Sequence, residues 1–268
     1  MKNKRSFFQK IILYTAILSI AAPVIVLLLW SFASRWAWPK LLPEGFSLRA
    51  FDELFGPHSP VMPVLLSSMG ISLGVAVLSA AIGTITARAI ALYDFWGKEL
   101  VSFGSILPII VPGTAFAMGI HVVFIRLGLA DTVLGVMLVH IIYALPYTVN
   151  IMLDVTRSVG DTHEVQSRVL GVSPSRTFIH VSLPQLMPGI MSSISMAYII
   201  SFSQYFLTLM IGGGSVKTFA VMMVPFIQSG DRTISSAYSL LFLASTAAVF
   251  IMIEALIKRF AFWRDKTE

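Results

Sequence analysis

Cysteine is absent from this 268-residue chain, which excludes a disulfide framework, a Cys-x-x-Cys redox site and a thiolate-bound metal. Charge is scarce as well. Asp, Glu, Lys and Arg together make up 12% of the residues, and no acid falls in the middle of any apolar run. Without a mid-depth carboxylate the runs lack the usual coupling site of a proton- or sodium-driven carrier and the acids of an intramembrane aspartyl protease. No set of serine, histidine and acid suggests nucleophilic catalysis, and no residues are assigned to a catalytic or metal site. The basic residues give a net charge of +6 but lie scattered between apolar runs and form no single stripe, which argues against a nucleic-acid partner.

What is abundant is apolar surface. Hydrophobic residues make up 56% of the chain and the mean hydropathy is +0.84, far above a soluble domain of this length. A helix crosses a bilayer with about 20 mostly apolar residues, because each backbone amide must be satisfied within the segment. Six stretches qualify: Ile11 to Phe32, Val64 to Ile90, Val101 to Ile125, Val133 to Leu153, Ile190 to Ile211 and Ile234 to Ile257. The first is too long for a signal-peptide core and reads as an uncleaved anchor.

Lysine and arginine of short loops stay on the cytoplasmic side. With both termini inside, cytoplasmic segments carry 13 of these residues, in the N-tail 1–10, at Arg88 and Lys98, at Arg157, Arg168 and Arg176, and in the C-tail 258–268. The outer segments carry 6, namely Arg35, Lys40, Arg49, Arg126, Lys217 and Arg232. Both termini are therefore expected in the cytoplasm of a bacterial inner-membrane protein. The outer segment 33–63 follows the first span, with Trp30, Trp36 and Trp38 as interfacial anchors. The turn Gly212-Gly-Gly-Ser-Val-Lys217-Thr218 superficially resembles a phosphate-binding loop, but Val216 stands where that loop needs glycine, so it reads as a flexible external turn.

The long cytoplasmic loop 154–187 carries the most specific signal. From Asp161 to Phe178 it reads Asp-Thr-His-Glu-Val-Gln-Ser-Arg-Val-Leu-Gly-Val-Ser-Pro-Ser-Arg-Thr-Phe. Two short helices are expected, with Asp161 or Thr162 capping the first and Glu164 in its opening turn. Gly171 closes that helix in the left-handed conformation, Ser173 caps the next and Pro174 takes its first position. Pro184 and Pro188 are expected to end the second helix before the fifth span.

Gly171, nine further residues and then Val181-Ser182-Leu183-Pro184 resemble the cytoplasmic EAA loop of the permease subunits of binding-protein-dependent ABC importers. The pattern there is Glu-Ala-Ala, three residues, Gly, nine residues, Ile-x-Leu-Pro. The Glu-Ala-Ala falls on Val165-Gln166-Ser167, whereas Glu164 stands one residue earlier, a rotation of about 100° around a helix. The resemblance covers Val64 to Ile257 in span order and extends to MetI-like members that serve polyamine, ferric-iron, thiamine or phosphonate binding proteins.

That resemblance implies an all-α membrane protein of six transmembrane helices, with a five-helix permease core over 64–257 and a peripheral first helix over 11–32. It implies one half of a translocation pathway for a small solute delivered by an external binding protein. The partners would be a second permease subunit, identical or related, two ATPase subunits and the solute-binding protein. ATP and Mg would belong to the ATPase, with no cofactor in this chain and alternating access by rocking of the two halves. The ATPase-coupling residues would be Glu164, Arg168, Leu170, Gly171, Val172, Arg176, Phe178, Leu183 and Pro184. Among them Leu170, Val172 and Phe178 would serve as apolar anchors, with Arg168 and Arg176 on a polar rim.

Polar residues remain in or near the spans: His121, His140, Tyr143, Asn150, Gln204 and Tyr205. Each can line a solute path or bond to a neighbouring helix. Gln204 and Tyr205, then Tyr143 and Asn150, are the path candidates. Small residues at Gly70, Gly74, Ala81 and Gly83 suggest close packing of the second span, and Pro108, Pro112 and Gly113 a kink in the third. The rival readings are an ATP-independent carrier or channel subunit, in which the loop only connects, and a membrane enzyme.

Overall fold

The computed structural model describes residues 2–36, 40 and 43–265, without the side chains of 2–9, 11, 35 and 257–265. Trp38 and Lys266 lie outside the described residues, as do the side chains of Lys2, Lys4, Arg5, Arg35, Lys258, Arg259 and Arg264. The described chain is predominantly helical, as a lipid solvent demands. The exception is a short antiparallel ribbon of β1 (Ala33–Arg35) and β2 (Gly45–Phe46).

Among the described residues five helical runs are long and apolar enough to span: Ile12–Ser31 within α1 (Lys2–Ser31), α3 (Val61–Leu92), α6 (Val133–Val159), Pro174–Phe202, and Arg232–Leu256 within α12 (Arg232–Asp265). The third expected span is instead a pair, α4 (Lys98–Ile110) and α5 (Gly113–Arg126), bent by 112°. Proline restricts the residue before it to extended backbone. Val111 accordingly sits at φ −78, ψ 129, and Pro112 continues extended at the N-cap of α5, so the helix breaks completely where only a kink was expected.

The fifth expected span also differs, at both ends. The second loop helix, α8 (Pro174–Thr177), runs through a π-helical turn (Phe178–Ser182) straight into α9 (Leu183–Phe202), without the stop expected at Pro184 and Pro188. In the widened turn the Leu183 N–H reaches Phe178 O, five residues back, so a proline without an N–H follows with little loss. At the outer end α9 stops at Phe202. Ser203, Gln204 and Tyr205 are non-helical before α10 (Phe206–Gly212), so Gln204 and Tyr205 lie in a break and not within a span. The unexpected α11 (Phe219–Ser229) is too short to cross a bilayer.

By packing, the chain divides into two units, Met1–Pro63 with Met222–Ala247, and Val64–Val221 with Ala248–Glu268. In the first, the apolar window of α1 has no buried residue. Its outer end is fastened by Arg232 over the Trp30 ring at 5.2 Å, and Trp30 stacks on Trp36 at 4.7 Å. The Thr233 hydroxyl donates to Ala33 O at 2.8 Å, and Arg49, at the start of α2 (Arg49–Phe55), pairs with Asp231 at 2.5 Å.

In the second unit α6 is the most buried of the spanning helices and packs against α9 and α3. Close approach rests on small residues: a Cβ on Gly83 would stand 2.5 Å from Thr148 Oγ1, and one on Gly189 would stand 2.8 Å from Val155 Cγ2. Gly74 meets Met137, but Gly70 has an open position and Ala81 is exposed, so the contacting stripe runs instead through Ser72, Ala76, Ala80, Gly83 and Ala87. Buried His140 joins this core by two bonds, Nδ1 to Ser201 Oγ at 2.9 Å and Nε2 to Thr208 Oγ1 at 3.0 Å, while Ser201 meets Ser72 at 3.3 Å. It is therefore an interhelical tie.

Candidate functional site

The loop predicted to carry function is a compact structure built on two glycines, Gly160 and Gly171, and on Pro174. Gly160, at φ +67, ends α6, and its N–H caps Thr156 O. Asp161 occupies the N-cap of α7 (Thr162–Val169), although its side chain makes no capping bond, and Thr162 is already helical. At the other end Gly171 stands at φ +82, as expected. Its N–H donates to Arg168 O at 2.9 Å, and the Val172 N–H reaches back to Ser167 O at 3.2 Å. This pair of bonds is a Schellman closure, which needs a left-handed residue at that position. Ser173 is extended at the N-cap of α8, also without a side-chain bond, and Pro174 follows as the first helical residue.

The two loop helices are joined by Ser167 Oγ and Thr177 Oγ1 at 2.9 Å. Glu164 is buried against the rest of the chain. Its Oε1 accepts from Arg88 Nη2 at 2.7 Å and also from the Ser182 hydroxyl in a short bond. The ion pair is largely enclosed, with 15% of the Arg88 and 12% of the Glu164 side chain exposed. Burial alone would push the Glu164 carboxyl up. The bond from Ser182, the bond and charge of Arg88 and the charge of Arg168 outweigh it and hold the group below its ordinary range. The Arg88 guanidinium also lies 5.2 Å from the centre of the Phe178 ring.

The remaining candidates divide clearly. Leu170 and Val169 are each 82% exposed, and Val165, Val172 and Ile179 are exposed too. These five are the apolar ridge of the loop, in contrast to Glu164, which is buried. Arg168 touches Glu164 O through Nε at 3.4 Å, Arg176 is exposed, and Leu183 and Pro184 are half-buried in the continuous rod. Of the path candidates, Tyr143 is half-buried and tilts against Phe116 at 6.3 Å, and Gln204 and Tyr205 are half-buried in the α9–α10 break. Asn150 is the one exposed side chain of α6 between residues 135 and 153. His121 is half-buried in α5.

Sequence reasoning missed Arg88 as part of the site, along with Ser182 and the ridge residues Val165, Val169 and Ile179. A lone arginine at the end of an apolar span and a lone glutamate in the facing loop were the available signal for the ion pair, because a charge so placed requires a partner.

Residues 79–262 match the family model for the binding-protein-dependent transport system inner membrane component. The chain is 27% identical over 240 residues to the putative 2-aminoethylphosphonate transport system permease protein of Salmonella typhimurium, covering 88% of this chain and 89% of that protein. It is 23% identical to the putrescine transport system permease protein of Escherichia coli, covering 91% and 89%. Against the molybdate/tungstate transport system permease protein of Pyrococcus abyssi the identity is 26%, covering 75% and 80%. Its fold is similar to a chain of a bacterial ABC transporter involved in alginate import, with TM-score 0.72, 15% identity and coverage of 95% and 98%.

Proposed function

This chain belongs to the family of binding-protein-dependent transport system inner membrane components, and from that premise we propose that its residues 161–184 seat a separate ATPase that drives transport. The chain is a transmembrane permease subunit of a binding-protein-dependent importer, and such a subunit is not itself catalytic. The exposed ridge of Val165, Val169, Leu170, Val172 and Ile179 carries the docking proposal. In a polar cytoplasmic loop, apolar side chains left this exposed suit a groove on a soluble partner, with Arg168, Arg176 and the back of the loop forming the rim. Gly171, Leu183 and Pro184 hold the loop's shape.

The complete importer has a second permease subunit, two ATPase subunits that bind ATP and Mg, and an external solute receptor facing the outer turn from Gly212 to Thr218. Both termini of this chain are cytoplasmic. Asn150 supports a pathway face on α6: an exposed amide on an otherwise covered span suits water or the partner subunit rather than lipid. Tyr143, Gln204 and Tyr205 extend that face. Relatives named for a diamine, an aminophosphonate and an oxyanion share this frame, which supports a receptor that selects the solute.

The test is copurification of an ATPase subunit with the chain. Leu170→Asp and Val169→Asp change side chains that the fold leaves exposed, so both variants should insert normally yet release the ATPase. Full ATPase retention by both variants, together with uptake that needs no ATP, would favour the carrier or channel reading.

A further inference from the structure

We propose that Arg88 is the positioning residue that passes movement of the cytoplasmic loop to the second span, by holding α7 and the inner end of α3 as one rigid body. The proposal rests on the importer reading above and adds which span is driven.

The covalent path cannot do this alone. Helix α7 hangs between Gly160 and Gly171, both left-handed, and a Cβ at either position would meet nothing within 4 Å. Neither glycine has a side chain through which α7 could bear on α3. A push on Leu170 or Val172 could reach α9 along the chain, but no covalent path runs from α7 directly to α3. What fixes α7 to α3 is the tie from Glu164, near the start of α7, to Arg88, which lies one turn before the end of α3 at Leu92.

The anchor at the other side is firm. Ala87, the neighbour of Arg88, is fully buried in a cluster with Met152 of α6 and Leu186 of α9. The guanidinium then uses two directions at once: an in-plane N–H meets the Glu164 carboxylate at 2.7 Å, and its face covers Phe178 at 5.2 Å. A lysine ammonium has no such plane, so one side chain grips both α7 and the π-helical turn only if it is arginine. Ser182, from the same turn, donates to the same carboxylate oxygen and closes the triangle.

The absence of cysteine from this chain makes the test direct, because the chain is labelled only at introduced cysteines before it is assembled with its partners. Spin labels at Tyr93→Cys, just past α3, and Gln166→Cys, on the exposed side of α7, report the distance across the tie. The measurement uses the complete transporter with its ATPase and receptor, nucleotide-free and ATP-bound. With Arg88 present the distance should be narrow and the same in both states. In Arg88→Gln it should broaden and change with nucleotide, and solute imported per ATP hydrolysed should fall about tenfold or more, with the ATPase still bound. The swapped pair Arg88→Glu with Glu164→Arg should recover part of that ratio relative to either single change. Should Arg88→Gln fail to accumulate, Glu164→Gln against the swapped pair decides the same question.

An unchanged distance and a wild-type import ratio in Arg88→Gln would overturn the tie and leave the importer reading standing. Absence of any ATP-dependent uptake by the unaltered transporter would overturn the importer reading itself, and the tie with it.

Discussion

Replacing Gly171 by valine tests whether the loop's shape is what the ATPase recognises. At φ +82 a β-branched side chain is strained by about 1–2 kcal/mol. Space is not the issue, since a Cβ there would meet nothing within 4 Å. The chain has one escape, which is to leave the left-handed region and give up the bonds from Gly171 N–H to Arg168 O and from Val172 N–H to Ser167 O. On this exposed loop water replaces both partners, so escape costs little compared with the strain, and the docking shape becomes a minor population. A penalty of 1–2 kcal/mol then weakens apparent ATPase affinity by about 5- to 30-fold, because only the competent fraction binds. Titration of the purified ATPase onto permease in lipid discs measures that shift directly. Gly171→Asn is the control. Asparagine tolerates the left-handed region, so its loss should be several times smaller than that of valine. Valine binding within twofold of wild type, or asparagine as weak as valine, would refute the reasoning.

Phe178→Ala should leave the loop backbone intact but remove the ring beneath Arg88, and should weaken ATPase binding by about 2 kcal/mol or more if the ring also enters the partner's groove; affinity titration with Phe178→Leu alongside checks it. The Glu164 carboxyl is held below 4.5, so the stability it adds is complete above that value and lost only as pH falls through the lowered one. Spin-label distances across the tie should therefore be flat from pH 8 to about 5, and broadening in that window would contradict the assignment. Cysteine at Ser215 should react with an impermeant reagent from outside and cysteine at Ser175 only from inside; the reverse would overturn the orientation and the coupling role together. Uptake should require internal ATP and survive collapse of the proton gradient, because no carboxylate sits at mid-depth.

Features set by local backbone chemistry were legible from sequence. Gly171 and Pro174 fall where glycine and proline fit, and both stand as expected. The all-α membrane class and the importer family were legible too, from apolar run length and from the spacing of Gly171 to Pro184. Features decided by three-dimensional partners were not. Pro184 predicts a stop, but the π-helical turn absorbs it. Pro112 predicts a kink, but with Val111 extended before it the helix breaks by 112°. Gln204 and Tyr205 sit in an apolar run, yet α9 ends before them, and no change in the apolar pattern marks the break at Ser203. Glu164 stands one residue from the family's glutamate, and only its contact with Arg88, 76 residues earlier, fixes which way it faces.

The loop is thus joined to three spans by three kinds of link. To α6 it is joined by Gly160, a left-handed residue with open space around it. To α9 it is joined by an unbroken rod, since Pro174 to Phe202 forms one helical run through the π-helical turn. To α3 it is joined by the side chains of Arg88, Glu164, Ser182 and Phe178, a link that a single substitution can cut. A stroke applied at Leu170 and Val172 would therefore reach α9 through backbone and α3 through chemistry, and α6 only through its packing against those two helices. Because α6 carries Asn150, and the outer end of α9 leads into the break at Gln204 and Tyr205, relative motion of these helices would reshape the proposed pathway face. Cutting the Arg88 link should leave α9 driven and α3 idle, so futile ATP hydrolysis, and not loss of ATPase binding, is the signature that separates the tie from the docking ridge.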